Sequence, residues 1–167
     1  MNRREWMVGA FAWQHPHSPD RPPKLEYLTA EQAAEIEALC AQIIPSSDGS
    51  PGARETGAIF FIDRALADWD RDQRETYRTG MAETQTVRLK LFPGSASIAA
   101  LSATQAIELL QAIEKTPFFE LLRAHTVLGF VGPPSRGGNR DGKGWAHIQV
   151  EDRMSFEPPF GYYDAKR

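Results

Sequence analysis

The pattern of apolar and polar positions predicts a helical body over residues 28–132. Five segments carry apolar residues at every third or fourth position, the spacing that gathers them on one face of a helix. The first two stripes are Ala33, Ile36, Leu39, Cys40, Ile43 and Ile44, and then Ile59, Ile62, Leu66 and Trp69. The other three are Tyr77, Met81, Thr84, Arg88 and Leu91; Ala106, Leu109, Leu110 and Ile113; and Phe118, Phe119, Leu122, Thr126, Val127 and Phe130. We therefore predict an all-α fold, a bundle of about five helices.

Capping residues indicate where several of these helices begin. Thr29 with Gln32, and Ser102 with Gln105, have the capping-box spacing, in which each side chain bonds the backbone amide of the other residue. Thr116 precedes a proline and is suited to cap the fifth helix.

The second and third helices are predicted over about residues 54–69 and 70–91. Gly80 weakens the third helix by roughly 1 kcal/mol relative to Ala, so a close helix crossing is expected there. Acidic residues near the end of the second helix alternate with arginines, and we interpret them as a solvated face. These residues are Asp63, Asp68, Asp70 and Asp72.

Residues 1–27 are predicted to be an N-terminal arm. Arg3 and Arg4 precede an apolar stretch, as at the start of a twin-arginine export signal. That stretch, Trp6 to Trp13, is at the lower limit of the roughly 7–15 residues of a signal core, so a working signal, a vestigial one and an ordinary amphipathic start all stay open. A working signal would place the chain in the periplasm and a vestigial one in the cytoplasm. Four prolines between His15 and Lys24 predict an extended linker.

Residues 133–167 are predicted to be a long irregular tail rich in glycine and aromatic side chains. Its sequence GGNRDGKGW, from Gly137 to Trp145, favours turns over helix or strand. This segment is either a surface loop with a Trp packed beneath it or a rigid loop shaped to meet another protein. Because disordered segments contain few aromatic residues, the tail is expected to lie on the helical body or on a partner. The predicted partner contacts are Gly137, Gly138, Asn139, Arg140, Asp141, Trp145, Phe156, Phe160, Tyr162 and Tyr163.

Composition argues against several classes of function. A net charge of −3 and a pI near 5.8 disfavour a nucleic-acid partner, which needs clustered Lys and Arg. The single cysteine, Cys40, lies among apolar helix positions, so we interpret it as a buried, unreactive thiol. No apolar run in the sequence approaches the ~20 residues of a membrane-spanning helix.

The sequence contains no recognisable catalytic constellation. Its four histidines include no pair at the i, i+4 spacing of a metal-binding helix, and Cys40 has no second cysteine to join it. His125 is interpreted as a hydrogen-bonded residue of the fifth helix rather than a general base. The chain has no nucleophile elbow, and GGNRDG lacks the strand, helix and lysine of a phosphate-binding loop. We therefore predict no catalytic, cofactor-binding or metal-binding residue in this chain.

Several short motifs occur in an order that resembles a known family. They are Leu28-Thr29, Ile43-Ile44-Pro45, Pro51-Gly52-Ala53, Gly57, Phe61-Ile62-Asp63, Phe118-Phe119 with Thr126, Gly129-Phe130, and Gly137 to Gly142 with Trp145. In this order they are similar to the gluconate 2-dehydrogenase subunit 3 family, the small subunits of bacterial flavin-dependent sugar dehydrogenases. The ending from Pro158 to Asp164 is similar to the subgroup near glucoside 3-dehydrogenases.

The resemblance implies a non-catalytic helical partner of a larger enzyme. In this family a large flavoprotein of the glucose-methanol-choline (GMC) type carries FAD and oxidises the sugar, and a cytochrome c subunit or another carrier takes the electrons. The small subunit supports folding of the large one and often carries the twin-arginine signal for both. The chain itself would then bind no cofactor.

Two other functions stay open at this stage. One is a stand-alone helical binding module unrelated to redox chemistry. The other is an enzyme that uses His125, His147 and nearby acids. Flavin bound to the isolated chain would favour an enzyme, whereas co-purification with a flavoprotein would favour the small subunit.

Overall fold

The computed structural model describes residues 24–151, which form six α-helices and no β-strand within that range. The helices are α1 (Ala30–Ile43), α2 (Ala58–Ala67), α3 (Arg74–Leu91), α4 (Ala103–Ile113), α5 (Pro117–Val131) and α6 (Lys143–His147). Short 3₁₀ turns occupy Arg71–Gln73, Pro134–Arg136 and Arg140–Gly142. The all-α prediction is confirmed. The predicted twin-arginine start at Arg3 and Arg4, most of the proline-rich linker and the end of the aromatic tail lie outside the described residues.

The predicted caps are present at three helix starts. In α1 the Gln32 amide donates to Thr29 Oγ1 at 3.2 Å, and the Thr29 amide donates to Gln32 Oε1 at 3.0 Å. Ser102 and Gln105 form the same reciprocal pair before α4. Thr116 Oγ1 accepts from the amide of Phe119 at the start of α5. These bonds satisfy amides that a helix start leaves without an intrahelical acceptor.

Helix α5 packs against α1, α2 and α3, most extensively against α2. Apolar side chains from four helices meet around it and are almost completely buried. The largest of them are Ile36, Leu39, Ile62, Leu66, Leu109 and Leu122. Each comes from one of the predicted stripes, but Ile98, which is 1% exposed, lies outside all five stripes, and the stripe residues Leu91 and Val127 are exposed.

Glycines allow α5 to approach its neighbours closely. A methyl group on Gly129 would lie 2.9 Å from Ala58 Cα, so α2 and α5 touch through their backbones at this point. A methyl group on Gly80 of α3 would overlap the ring of Phe118. The close helix crossing expected at Gly80 is therefore confirmed.

Two helix starts differ from the sequence-based prediction, and one helix was not predicted. Helix α2 begins at Ala58 rather than near residue 54, because a turn ending at Gly57, with φ of 68°, precedes it. A 3₁₀ turn occupies the start predicted for α3. Helix α6 lies within the tail that was predicted to be irregular; at five residues it is too short to show a helical period.

The interpretation of Asp63 as part of a solvated face is wrong. Asp63 is 2% exposed, and its carboxylate accepts hydrogen bonds from the backbone amides of Glu26, Tyr27 and Leu28 at 2.6, 3.0 and 2.7 Å. A buried carboxylate requires such donors, because unpaired burial of a charge is costly. Asp63 therefore fixes the segment that leads into α1 against α2.

Among residues 24–151, no helix combines the length and the apolar character that a bilayer span requires.

Candidate partner-docking site around the glycine-rich loop

The glycine-rich loop folds back onto the helical body. The Asn139 amide donates to Gly129 O on α5 at 2.7 Å, and the Arg140 amide donates to Thr56 O, just before α2, at 2.9 Å. A Cβ on Gly138 would overlap the carbonyl of Gly129, so only glycine fits between the loop and α5. The loop is thus seated where α2 and α5 are in closest contact.

Asn139 holds the loop from inside. It is 0% exposed and adopts a left-handed backbone with φ of 45°, a conformation that Asn tolerates better than most residues. Its side-chain Nδ2 donates to Gly132 O at 3.0 Å, and its Oδ1 accepts from the Gly144 amide at 2.8 Å. One side chain therefore ties the end of α5 to the start of α6.

Trp145 anchors α6 to the end of α5. Its indole Nε1 donates to Val131 O at 2.6 Å, one of the carbonyls that a helix end leaves without an intrahelical donor. The side chain is only half-buried by the described residues. Trp145 thus contributes to this chain's own structure and also presents part of its ring at the surface.

The predicted partner contacts divide by exposure. Gly138 and Asn139 are buried inside the chain, so they shape the loop rather than present side chains to a partner. Gly137 is half-buried, whereas Arg140 and Asp141 are exposed. The aromatic residues predicted in the same role, Phe156, Phe160, Tyr162 and Tyr163, lie outside the described residues.

Exposed apolar side chains border the loop. Val127 and Leu128 on α5 are 42% and 48% exposed, and Ile148 and Val150 after α6 are 46% and 48% exposed. The periodic pattern assigned Val127 to the buried stripe of α5, and that assignment is wrong. Helix α6 packs on the end of α5, so the two pairs lie on neighbouring elements. Sequence reasoning did not single out Leu128, whose signal is an apolar residue just outside the stripe of α5, or Ile148 and Val150, which lie after α6 where no stripe was assigned.

The histidine of the helical body, His125, is buried and lies between two polar side chains, one of which, Asp70, is partly exposed. Nε2 of His125 is 3.2 Å from Asp70 Oδ2, and Nδ1 is 3.1 Å from the Tyr77 hydroxyl. Because a carboxylate only accepts, Nε2 carries the hydrogen and Nδ1 accepts from Tyr77. Burial lowers the pKa of His125, and the nearby Asp70 carboxylate offsets that shift only in part.

Both nitrogens of His125 are therefore occupied by structural hydrogen bonds.

Burial raises the pKa of Cys40 to about 12, and Thr126 Oγ1 lies 3.2 Å from its sulfur. The expectation that Cys40 is a buried thiol is confirmed. Within residues 24–151, no group of three or more metal-ligating side chains comes together.

A shallow groove of about 260 Å³ lies between α1, α4 and α5. Its walls are mainly apolar, and its charged side chains are Glu114 and Arg123. No histidine or cysteine lines it, so the groove brings together none of the residues weighed as catalytic candidates.

Most of the described chain matches the model of one known protein family. Residues 30–151, from the first residue of α1 to the end of the described chain, match the family model described as gluconate 2-dehydrogenase subunit 3. The chain belongs to the gluconate 2-dehydrogenase subunit 3 family. The match includes the glycine-rich loop and α6.

Family membership confirms the resemblance found in the sequence and makes the chain a subunit of a dehydrogenase complex. Searches of curated proteins and of solved structures found no match to this subunit 3 protein.

Proposed function

We propose that this subunit is the non-catalytic small subunit of an FAD-dependent sugar or glycoside dehydrogenase, with the glucoside 3-dehydrogenase type favoured by its C-terminal motif. It folds and stabilises a GMC-type large subunit, which carries FAD and oxidises the sugar. A cytochrome c subunit or another carrier receives the electrons. The family match over residues 30–151 is the observation that carries this proposal.

The interior of the chain supports a non-catalytic role. His125 uses both ring nitrogens in hydrogen bonds to Asp70 and Tyr77, and it is buried. Cys40 is a buried thiol with a pKa of about 12, so it is not a thiolate near neutral pH. Catalysis needs a reactive group within reach of a substrate, and both of these groups face inward.

The surface around the glycine-rich loop supports a structural role in a complex. The loop is held by buried hydrogen bonds through Asn139, so its exposed residues are presented in a fixed arrangement. Half-buried Trp145 and the exposed apolar side chains Val127 and Leu128 lie on the elements beside it. Rigid aromatic and apolar groups of this kind anchor protein interfaces.

The N-terminal arm adds a proposal about location. If Arg3 and Arg4 start a working twin-arginine signal, the subunit escorts the large subunit to the periplasm. If the signal is vestigial, the complex stays in the cytoplasm. Fractionation of cells that carry the full chain, compared with an Arg3→Lys, Arg4→Lys variant, distinguishes the two.

The proposed function is tested first on the isolated chain. Purified alone, it should be colourless and should show no dye-linked oxidation of sugars or glycosides. Purified together with the flavoprotein encoded beside it, the same chain should appear in an active, flavin-containing complex. Bound flavin or turnover in the lone chain would contradict the proposal.

A further inference from the structure

Three arginines lie on α2 or stack on aromatic side chains of α2 and of the turn that follows it. Arg64 is on α2, one helical turn after Phe60. The guanidinium of Arg140 stacks over the Phe60 ring at 5.2 Å, and that of Arg136 stacks over the Trp69 ring at 4.5 Å. Phe60 lies in the first turn of α2 and Trp69 lies two residues beyond its last residue, so the stacked arginines lie near the two ends of the helix. We call Arg64, Arg136 and Arg140 the arginine row.

The arginine row carries more positive charge than nearby carboxylates neutralise. Arg64 lies 3.6 Å from Glu26 and also donates to Ser135 O at 2.7 Å. Within residues 24–151, Arg136 and Arg140 have no carboxylate at ion-pair distance, and their guanidinium groups form no hydrogen bond. This local positive surface belongs to a chain whose net charge is −3.

Acidic residues near the row already have other partners. Asp63 accepts three backbone amides in the interior. Asp68 lies 3.9 Å from Arg71, and Asp141 lies 3.5 Å from Lys143. The chain therefore offers Arg136 and Arg140 no acid of its own from α2 or from the glycine-rich loop.

Stacking suits these guanidinium groups to receive a carboxylate. An aromatic face supports the flat side of a guanidinium, while the N–H donors at its edge remain available for bidentate hydrogen bonds. Arg136 and Arg140 are attached to short 3₁₀ turns rather than to a free chain end, and the Arg140 amide is itself bonded to Thr56 O. Less side-chain freedom is then lost when a partner binds.

The position of Arg140 adds to this preference for negative charge. Its guanidinium lies beside Gly57, at the amino end of α2, where the helix dipole is positive. A cation there is electrostatically unfavourable for the isolated chain, and an approaching carboxylate would relieve the repulsion.

We infer that the arginine row is a docking surface for carboxylate side chains of the large subunit, and this inference rests on the proposed function. Charge complementarity favours such a partner, because two stacked arginines lack acids within the described chain. A nucleic acid would need a longer basic stripe than three arginines on a chain of net negative charge. Docking here would also bring the partner onto the glycine-rich loop, which carries Arg140.

The test is co-purification of the full chain with the proposed flavoprotein large subunit, comparing the wild type with the double variant Arg136→Glu, Arg140→Glu. The control is Arg78→Glu, Arg123→Glu, which makes the same change of charge at two exposed arginines on α3 and α5. We expect the first pair to reduce recovery of the flavoprotein by about tenfold or more, and the control to change recovery by less than about twofold. Melting temperatures of the isolated variants show whether each one folds.

A second measurement uses the wild-type complex and so does not depend on folding of a variant. Raising the salt concentration from about 0.1 M to about 1 M shortens the Debye length from about 10 Å to about 3 Å, and should weaken the complex. Equal recovery with the Arg136, Arg140 variant and no weakening by salt would overturn the inference, while the proposed function would stand.

Two other outcomes are also decisive. If the wild-type chain recovers no flavoprotein, the proposed function fails, and the inference fails with it. If a labelled DNA duplex binds the wild-type chain and not the Arg136, Arg140 variant, the row recognises phosphate and the carboxylate assignment is overturned.

Discussion

Asp63 is the residue whose side chain holds the segment before α1 against α2. It accepts three backbone amides from a segment about 35 positions earlier in the chain, and it lies almost completely out of solvent. Hydrogen bonds to a charged group contribute about 1.5–3 kcal/mol each, and contributions from neighbouring bonds are not additive. In Asp63→Asn an NH2 group replaces one carboxylate oxygen. This change removes acceptor positions and places N–H donors opposite the backbone amides, which are donors themselves.

We therefore expect Asp63→Asn to lower the free energy of unfolding by about 2–4 kcal/mol, measured by urea denaturation. Asp68→Asn is the matched control, because Asp68 is exposed and 3.9 Å from Arg71, and it should change stability by less than about 0.5 kcal/mol. Equal effects of the two substitutions would show that Asp63 does not hold the entry to α1.

His125 gives the molecule a defined pH dependence. Its pKa in the folded chain is lowered from 6.5, mainly because burial disfavours the charged imidazolium. The unfolded chain therefore binds more protons between the folded pKa and about 6.5. Stability that is present above pH ~6.5 should be lost as the pH falls through this window.

Urea denaturation between pH 8 and 5 should show this decline in the wild type, and His125→Gln should have a flatter curve despite lower stability near neutral pH. The same slope in wild type and His125→Gln would contradict the account.

Among the elements, the α3–α5 crossing depends on Gly80. A methyl group there would overlap the ring of Phe118, whereas one on Gly94, after α3, would meet nothing within 4 Å. Replacing either glycine by Ala restricts the backbone of the unfolded chain by a similar small amount. The difference between the two variants in the free energy of unfolding therefore reports the contact between α3 and α5.

We expect Gly80→Ala to destabilise the fold by roughly 1–3 kcal/mol in thermal or urea unfolding, although Ala is the better helix former. Gly94→Ala should change stability by no more than about 1 kcal/mol in either direction. Stabilisation by Gly80→Ala would mean that the two helices are not in contact at this point.

The same elements show what a sequence can and cannot predict. Helix existence and the caps at Thr29, Ser102 and Thr116 were predictable, because they depend on neighbours within one turn of the chain. The burial of Asp63 was not, because its donors lie far away along the chain and its neighbours include exposed acids. The stacking of Arg136 on Trp69 likewise depends on a fold that brings distant segments together.

The candidate site was predictable in part. The unusual composition of the glycine-rich loop indicated that it is a special segment, and the loop does pack closely against α2 and α5. Composition did not reveal that Asn139 points inward while Arg140 points outward, because a turn-rich segment has no period from which to assign faces.

At the scale of the whole molecule, Trp145 distinguishes folding of the chain from assembly of the complex. Its Nε1 bonds Val131 O, yet part of its ring is exposed at the surface. We expect Trp145→Ala to reduce the yield of complex with the proposed large subunit by a larger factor than it reduces the folded fraction of the isolated chain. Interface tryptophans commonly contribute about 2 kcal/mol or more to binding.

Trp145→Phe separates the ring from the hydrogen bond. It keeps an aromatic surface while removing the donor to Val131 O, so complex yield should recover much of what Trp145→Ala loses. If both variants lose yield only in proportion to their lower melting temperatures, Trp145 acts only within this chain.

The most direct test of the whole account is the amount of soluble, flavin-loaded large subunit made with and without this chain. Co-expression should give a soluble complex in which flavin absorbance elutes together with both chains, and the large subunit expressed alone should be mostly insoluble or lack flavin. A large subunit that is equally soluble, flavin-loaded and active when expressed alone would contradict the claim that this chain exists to fold and stabilise it.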